Sequence, residues 1–340
     1  MKRIITITLL LLHTIGIFSQ QGKIVQHQAT LFEIQQKTDT ISFIVMDTLL
    51  TEKKPIFLWC QGSLPVPLFC EYEEDKFFLF GGGITNFDYK AIAKKYHLVV
   101  ISMPKTPVFG QKEHLNAQYQ YVPDLQKPDE FLSTYIEADY LDNYVDRALS
   151  VLRFLNKKSW VDKRTLVVAG HSQGTKVATK IAVRHKNVTH LGLFAANPFG
   201  RIDQFVRQAR LDAQLGKITW PEADSIMNEQ YTFYSAVHNK DAKSSDNPSL
   251  RTWQTFSETF YDDWLSLDMP IYLAYGTEDR TADLCDIVPL FFIQEGKSNL
   301  TFKRYLGLEH NFFEVNERGR ANYEKSHWSE VMDTFLKWVK

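Results

Sequence analysis

The stretch Thr165-Leu166-Val167-Val168-Ala169-Gly170-His171-Ser172-Gln173-Gly174 decides how this chain folds. Its first five residues are typical of a buried strand, and Thr175–His185 directly after it has a helical pattern. The Gly-x-Ser-x-Gly motif between them therefore lies where a strand turns directly into a helix. Such a turn holds its central residue in a strained conformation and exposes its hydroxyl near amides that favour negative charge. We therefore predict a nucleophilic serine at Ser172, in preference to an inert serine in a glycine-flanked turn.

A serine hydroxyl needs a base and an acid that orients the base, and both are expected on loops after later strands. The predicted strand Pro270–Tyr275 is followed by a loop in which Asp279 is the first aspartate. Glu278, Asp283 and Asp286 are the alternatives. Asp283 and Asp286 are expected at the start of the next helix, where acids commonly face the positive end of the helix dipole. We predict Asp279 as the acid.

The base is predicted at His310. Of the ten histidines, it alone lies in a glycine-containing loop just after the last predicted strand, Leu300–Leu306. His171 lies inside the serine motif and is interpreted as a packing residue. His327 opens the final helix and is the second choice as base.

Acyl transfer also requires amide donors that face the developing oxyanion. One is predicted to be the backbone N–H of Gln173, the residue after the nucleophile. The second is predicted at Ser63, with Leu64 as the fallback, because Ser63 follows the predicted strand Pro55–Cys60. The loop Gly81-Gly82-Gly83 is a rival that more readily forms a turn.

Composition excludes several classes of protein. The chain has 340 residues, 44% hydrophobic and 23% charged, with a net charge of −1, as expected for a globular enzyme. Basic residues interleaved with aromatics are missing, so nucleic acid is not an expected partner. The sequence carries none of the common metal-binding or phosphate-binding motifs, so no cofactor and no metal is expected. Three cysteines do not make a disulfide scaffold, although Cys60 and Cys70 could pair or remain buried thiols.

The N-terminus predicts export. Lys2 and Arg3 precede an apolar run, Ile4–Phe18, and small or polar residues begin at Ser19. This order is typical of a signal peptide over residues 1–19 and predicts a secreted or periplasmic protein. The run is shorter than the ~20 apolar residues of a spanning helix, so no stable membrane span is expected after cleavage. The sequence leaves the oligomeric state open.

Strand and helix patterns alternate along the rest of the chain, which predicts a mostly parallel sheet covered by helices, with an antiparallel lead-in. Asp139–Leu155 has a helical apolar stripe. The predicted strands are Thr40–Met46, Pro55–Cys60, His97–Met103, Thr165–Ala169, Leu191–Ala196, Pro270–Tyr275 and Leu300–Leu306.

One segment breaks the alternation. Residues 199–268 contain no convincing strand but three helical patterns, Ile202–Leu215, Pro221–His238 and Leu250–Leu265, with a surface turn at Lys240–Pro248. We interpret the segment as a helical lid inserted into a catalytic domain of residues 20–198 and 269–340. Its aromatic residues are expected to pack the lid on the body and to shape an acyl-chain pocket.

With the Ser172 motif, Asp279 and His310 in place, the chain from about Thr40 to its end resembles the α/β-hydrolase superfamily. The resemblance implies an eight-stranded, mostly parallel sheet, a covalent acyl-enzyme on Ser172 and no cofactor. Two positions depart from the usual pattern. Gln61-Gly62 replaces His-Gly in the oxyanion loop, and Thr175 stands where the peptidase-like branch often has a second glycine.

The large insertion resembles that of lidded esterases and of aminopeptidase-like members. The function predicted is a serine hydrolase acting on a carboxylic ester or related acyl bond of a small molecule or short peptide. One alternative is a peptidase that releases short N-terminal units, in which Glu222, Glu229 or Glu258 would hold the substrate ammonium. The other alternative is a non-catalytic binding protein of the same fold.

Overall fold

A computed structural model describes residues 22–36, 39–239 and 247–340 of the chain. The predicted signal peptide, residues 1–19, lies outside the described residues. Most of the predicted surface turn, residues 240–246, does so as well. In the described part of the chain, none of the helices is both long and apolar enough to cross a membrane.

The centre of the molecule is a nine-stranded sheet in the order β1-β2-β3-β7-β4-β9-β10-β11-β12. The strands from β7 to β12 in this order run parallel, and β1, β2 and β3 join them as antiparallel neighbours. The strands of the described residues are β1 Lys23–Val25, β2 Ala29–Gln35, β3 Thr40–Val45, β4 Lys54–Cys60, β5 Phe69–Glu73, β6 Lys76–Leu79, β7 His97–Ile101, β8 Phe109–Gly110, β9 Val161–His171, β10 His190–Phe194, β11 Ile271–Gly276, β12 Leu300–Tyr305, β13 Phe313–Val315 and β14 Ala321–Ser326.

Helices cover both faces of this sheet. Residues of α3, α4, α8 and α9 share one buried apolar cluster with the sheet, and residues of α1 and α10 share the other. The helices are α1 Tyr89–Lys95, α2 Ser133–Ala138, α3 Leu141–Leu155, α4 Gln173–Arg184, α5 Asp203–Gln214, α6 Trp220–Val237, α7 Pro248–Phe256, α8 Tyr261–Ser266, α9 Val288–Gln294 and α10 Trp328–Trp338. The predicted α/β class with a mostly parallel sheet and an antiparallel lead-in is confirmed.

The expected strand count of eight is corrected to nine. The seven strands predicted individually match seven of these nine, and the two that were missed, β1 and β2, pair with each other at the antiparallel edge. The shorter of the two is β1. Its burial pattern is mostly exposed, so it lacks the apolar alternation by which sequence reasoning finds a strand. Two smaller sheets, β6-β5-β8 and β13-β14, lie outside the central one.

Four helices, α5 to α8, connect β10 to β11. The pattern predicted as one helix over Leu250–Leu265 is two helices, α7 and α8. The chain breaks between them because the amides of Phe260 and Tyr261 bond to the carbonyl of Pro198 instead of to their own helix. This contact fixes the end of the insertion against its beginning.

Candidate active site

The turn from β9 into α4 presents Ser172 in a strained conformation, with φ 54° and ψ −124°. Its amide donates to the carbonyl of Phe194 at 2.9 Å, which fixes the turn to the neighbouring strand. Gly174 allows a close approach on the other side, since a Cβ there would lie 2.1 Å from the carbonyl oxygen of Cys60. Main-chain contacts therefore hold the hydroxyl of Ser172 at the carboxyl end of the sheet.

Two loops at the same end of the sheet bring His310 and Asp279 to this serine. Nε2 of His310 lies 2.9 Å from Oγ of Ser172. Nδ1 of His310 lies 2.8 Å from Oδ2 of Asp279. The loops are held together by a backbone contact, because a Cβ at Gly276 would lie 2.0 Å from the carbonyl oxygen of Leu308. The three predicted residues form one continuous chain of polar contacts.

Asp279 is buried and orients the ring of His310. Burial disfavours the ionised carboxyl, but the hydrogen bond with His310 and those donated by the hydroxyl and amide of Thr281 outweigh it, so the pKa of Asp279 is lowered. Burial likewise opposes the charged ring of His310, yet the bond and charge of Asp279 raise its pKa above the ordinary value. The pair is thus arranged to stabilise an imidazolium once the ring has accepted a proton.

The alternative acids lie elsewhere. Glu278 is exposed, and Asp283 forms an ion pair with Arg207. Asp286 accepts a 2.7 Å hydrogen bond from the hydroxyl of Tyr275. The alternative base, His327, precedes α10 and contacts Glu330 of that helix and Glu314 of β13. Among the described residues, it has no contact with Ser172.

His171 was interpreted from the sequence as a packing residue, and its ring does pack on that of Trp328, at 5.1 Å between centroids. Its Nε2 also lies 2.9 Å from the carbonyl oxygen of His310. Burial and the neighbouring ring of His310 lower the pKa of His171 to about 3, so it is neutral at physiological pH. Neutral His171 donates to this carbonyl and fixes the main chain that carries the candidate base.

The loop after β4 lies opposite Ser172. A Cβ at Gly62 would be 4.0 Å from Cβ of Ser172, and Ser63 lines a cavity beside Ser172. The rival triple glycine forms a short 3-10 turn, and its Gly82 carbonyl accepts a 2.9 Å bond from the indole of Trp59. The amides of Ser63 and Gln173 remain the predicted oxyanion donors.

A cavity of about 180 Å³ opens beside Ser172 and His310. Two kinds of segment enclose it: loops at the end of the sheet, and the beginning and end of the insertion. The lining residues are Ser63, Ser172, Gln173, Lys176, Ala195, Asn197, Gly200, Arg201, Gln204, Phe256, Thr281 and His310. Of the insertion's aromatic residues, Phe256 alone is among them.

Lys176 lies four residues after Ser172 and is buried. Its Nζ donates to the carbonyl of Gly200 at 2.7 Å and to that of Phe256, and lies 5.0 Å from the ring centroid of Phe260. Burial, together with the charge of Arg201, lowers the pKa of Lys176 to about 7. The lysine joins both flanks of the insertion to the helix that starts at Ser172.

Arg201, like Ser63 and Gln173, lines both this cavity and an outer pocket of about 540 Å³. Its guanidinium carbon stacks 4.2 Å from the ring centroid of Trp253. The nearby Asp139 attracts it electrostatically but accepts its own 2.7 Å hydrogen bond from Tyr144. Throughout the described ranges, the guanidinium has no hydrogen bond to a protein acceptor.

Sequence reasoning predicted the three residues of this contact chain, Ser172, His310 and Asp279, but missed Lys176 and Arg201. Lys176 shares its helix face with Gln173, Thr179 and Lys180, so its helical neighbours do not signal that it is buried. Arg201 carries no such signal, because an arginine between two elements is ordinarily solvated. The three cysteines are buried free thiols, so Cys60 and Cys70 are not paired.

No model of a known protein family matches the sequence, and no curated protein matches it. The structure resembles solved ones. A Bacillus subtilis protein described as a hydrolase has a TM-score of 0.50 and 11% identity, over 92% of this chain and 93% of that one. A Bacteroides ovatus protein described as a dipeptidyl aminopeptidase IV has a TM-score of 0.53 and 12% identity, over 94% of this chain but 36% of its own. At such identities the likeness concerns the fold.

Proposed function

This chain has the α/β-hydrolase fold, and on that basis we propose that it is a serine hydrolase that cleaves a carboxylic ester or a related acyl bond. The observation that carries the proposal is the contact chain from Oγ of Ser172 through His310 to Asp279, with distances of 2.9 and 2.8 Å. A nucleophile, a base and an orienting acid in this order are the parts that acyl transfer needs.

In the proposed reaction, the Ser172 hydroxyl attacks the acyl carbon while its proton moves to Nε2 of His310. The oxyanion that forms accepts hydrogen bonds from the amides of Gln173 and Ser63. His310 then gives its proton to the leaving group, and an acyl-enzyme forms on Ser172. A water molecule, deprotonated by the same histidine, releases the acid and restores the serine.

The three glutamates that the peptidase alternative would use lie away from the cavity. Glu222 is exposed and caps α6 through Thr219, Glu229 is exposed, and Glu258 pairs with Lys180 at 3.0 Å. None of the three glutamates lines the cavity beside Ser172 or the outer pocket. The ester reading therefore has the better support.

The test is the reactivity of Ser172. A fluorophosphonate probe should label the protein at Ser172, and a panel of esters, thioesters and aminoacyl arylamides should show turnover on the oxygen or sulfur esters first. Ser172→Ala should lose the labelling and about 10⁶-fold in kcat. Ser63→Ala is a matched control, because it keeps the backbone amide that we propose as a donor. Full activity in Ser172→Ala would refute the proposal.

We also propose that the protein is exported and cleaved after residue 19, which the N-terminal sequence pattern supports. The mature protein, recovered outside the cytoplasm, should then begin near Gln20 by N-terminal sequencing. Exported material that begins at Met1 would contradict cleavage.

A further inference from the structure

The cavity beside Ser172 is polar and cationic. Lys176 and Arg201 line it, and in the described part of the chain no aspartate or glutamate does so. Asp279 lies behind His310 and is bonded to it, and three other acids, Asp129, Glu130 and Asp139, line the outer pocket and not this cavity. A neutral acyl chain would gain little from such walls, because burying it there would leave charged groups without water or partners.

Arg201 is the charged group of the cavity that is positioned to bind a ligand. Its guanidinium carbon lies 4.2 Å from the ring centroid of Trp253, and its N–H groups donate to no acceptor of the described residues. Among the described residues, neither Asp139 nor any other carboxylate lies within ion-pair distance of it. A planar fork of N–H donors matches a carboxylate in two parallel hydrogen bonds.

Lys176 is placed differently, since two of its donors are already used on the carbonyls of Gly200 and Phe256. Its position is fixed by the protein, and with a pKa of about 7 it carries only part of a positive charge at neutral pH. The specific contact therefore falls to Arg201, at the boundary between the inner cavity and the outer pocket.

We propose that the substrate carries a carboxylate close to the scissile acyl group and that Arg201 binds this carboxylate. The inference rests on the proposed function and narrows it to esters of dicarboxylic acids or esters whose leaving group is acidic. Arg201 is thus a specificity-determining residue in the wall opposite the nucleophile.

The first experiment compares matched substrates. Mono-p-nitrophenyl glutarate is set against p-nitrophenyl valerate, and 4-carboxyphenyl acetate against phenyl acetate, with the spontaneous rate of each subtracted. At least one acidic ester should exceed its neutral partner in kcat/KM, and Arg201→Gln should lower that ratio by roughly 10- to 100-fold. Arg201→Lys, which keeps the charge but not the fork, should lower it less.

The matched control is Arg251→Gln. The guanidinium of Arg251 also stacks on an aromatic ring, that of Tyr140, but it lines neither the inner cavity nor the outer pocket. This variant should leave the ratio unchanged. An equal fall in both arginine variants, or a ratio of one in the wild type for both ester pairs, would overturn the inference.

The second experiment does not depend on turnover. Glutarate is titrated into the Ser172→Ala protein by calorimetry, with glutaramide and inorganic phosphate as the comparison ligands. Glutarate should bind more tightly than both, and Arg201→Gln in the same background should weaken it roughly 10- to 100-fold. Failure of probe labelling together with this binding would reject the hydrolase but keep the carboxylate site, whereas labelling without Arg201-dependent binding would reject the carboxylate site alone.

Discussion

The cavity has two unlike walls. The wall made by the sheet carries Ser172, His310 and Thr281, and main-chain close approaches at two glycines hold its loops. The wall made by the insertion carries Arg201 and Phe256 and is held to the body by side-chain contacts, those of Lys176 above all. We therefore expect the first wall to carry out the reaction and the second wall to select the substrate. Changes in the first wall should abolish turnover, and changes in the second should redirect it.

After that of Ser172→Ala, the largest effect is expected at Asp279. Asp279→Asn should lower kcat by a factor approaching ~10⁴, because the amide no longer holds the ring of His310 in the required tautomer. The acid limb of the pH profile of kcat/KM should also move to lower pH, since Asp279 is what raises the pKa of His310. Steady-state kinetics from pH 5 to 9 measure both effects.

The controls for this variant are Asp283→Asn and Asp286→Asn, whose carboxylates are bonded to Arg207 and Tyr275. Both should stay near wild type. If Asp279→Asn were active and one of the controls inactive, the acid would be assigned to the wrong carboxylate.

A smaller effect is expected at His171, which supports the first wall from behind. His171→Phe keeps a ring against Trp328 but removes the donor to the carbonyl of His310, so that kcat/KM should fall about 10-fold. The rate of fluorophosphonate labelling should fall in parallel. Unchanged labelling alongside reduced thermal stability would mean that His171 only packs.

The smallest effect tests the attachment of the second wall. Lys176 has a pKa of about 7 in the folded protein and 10.5 when unfolded, so between these values the unfolded state binds more protons. The free energy of unfolding should therefore rise with pH by up to about 1.4 kcal/mol per pH unit in that window, and it should fall again as the pH is lowered toward 7. Lys176→Met should remove this rise, as measured by urea denaturation from pH 7 to 10.

Lys180→Met is the control on the same helix. Lys180 pairs with Asp263 at 2.8 Å and with Glu258, and its pKa is raised despite burial. It therefore binds its proton in both states over the same window, and its removal should leave the pH dependence intact. A wild-type slope that persists in Lys176→Met would show that another group produces it.

The sequence was most informative where the proposed chemistry requires one residue type at one position of the fold. The strained turn at Ser172, the loop acid Asp279 and the loop histidine His310 were predicted from their positions after strands, and the structure brings them together. Lys23–Val25 was missed because an exposed three-residue edge strand has no apolar pattern. Leu250–Leu265 was predicted as one helix because its periodicity continues across the break, which long-range hydrogen bonds to Pro198 impose.

The second wall was the least predictable. Its aromatic residues were expected to pack the lid on the body and to shape an acyl-chain pocket. Phe256, Phe260 and Trp264 are buried, Trp220 and Tyr231 are exposed on α6, and Phe256 lines the cavity. Which residue of an insertion faces a cavity depends on the tertiary position of its helices, and amphipathic patterns fix only the face of each helix. The sequence did not indicate Arg201, because an arginine between two elements is ordinarily solvated.

The close approach at Gly276 bears on divergence. Because the backbones of the acid and histidine loops touch there, the spacing of Asp279 and His310 is set by the main chain and not by the sizes of core side chains. Core residues are then free to exchange volume with one another over evolutionary time without displacing the triad. A chain of this kind can share its architecture with a solved structure at 11% sequence identity.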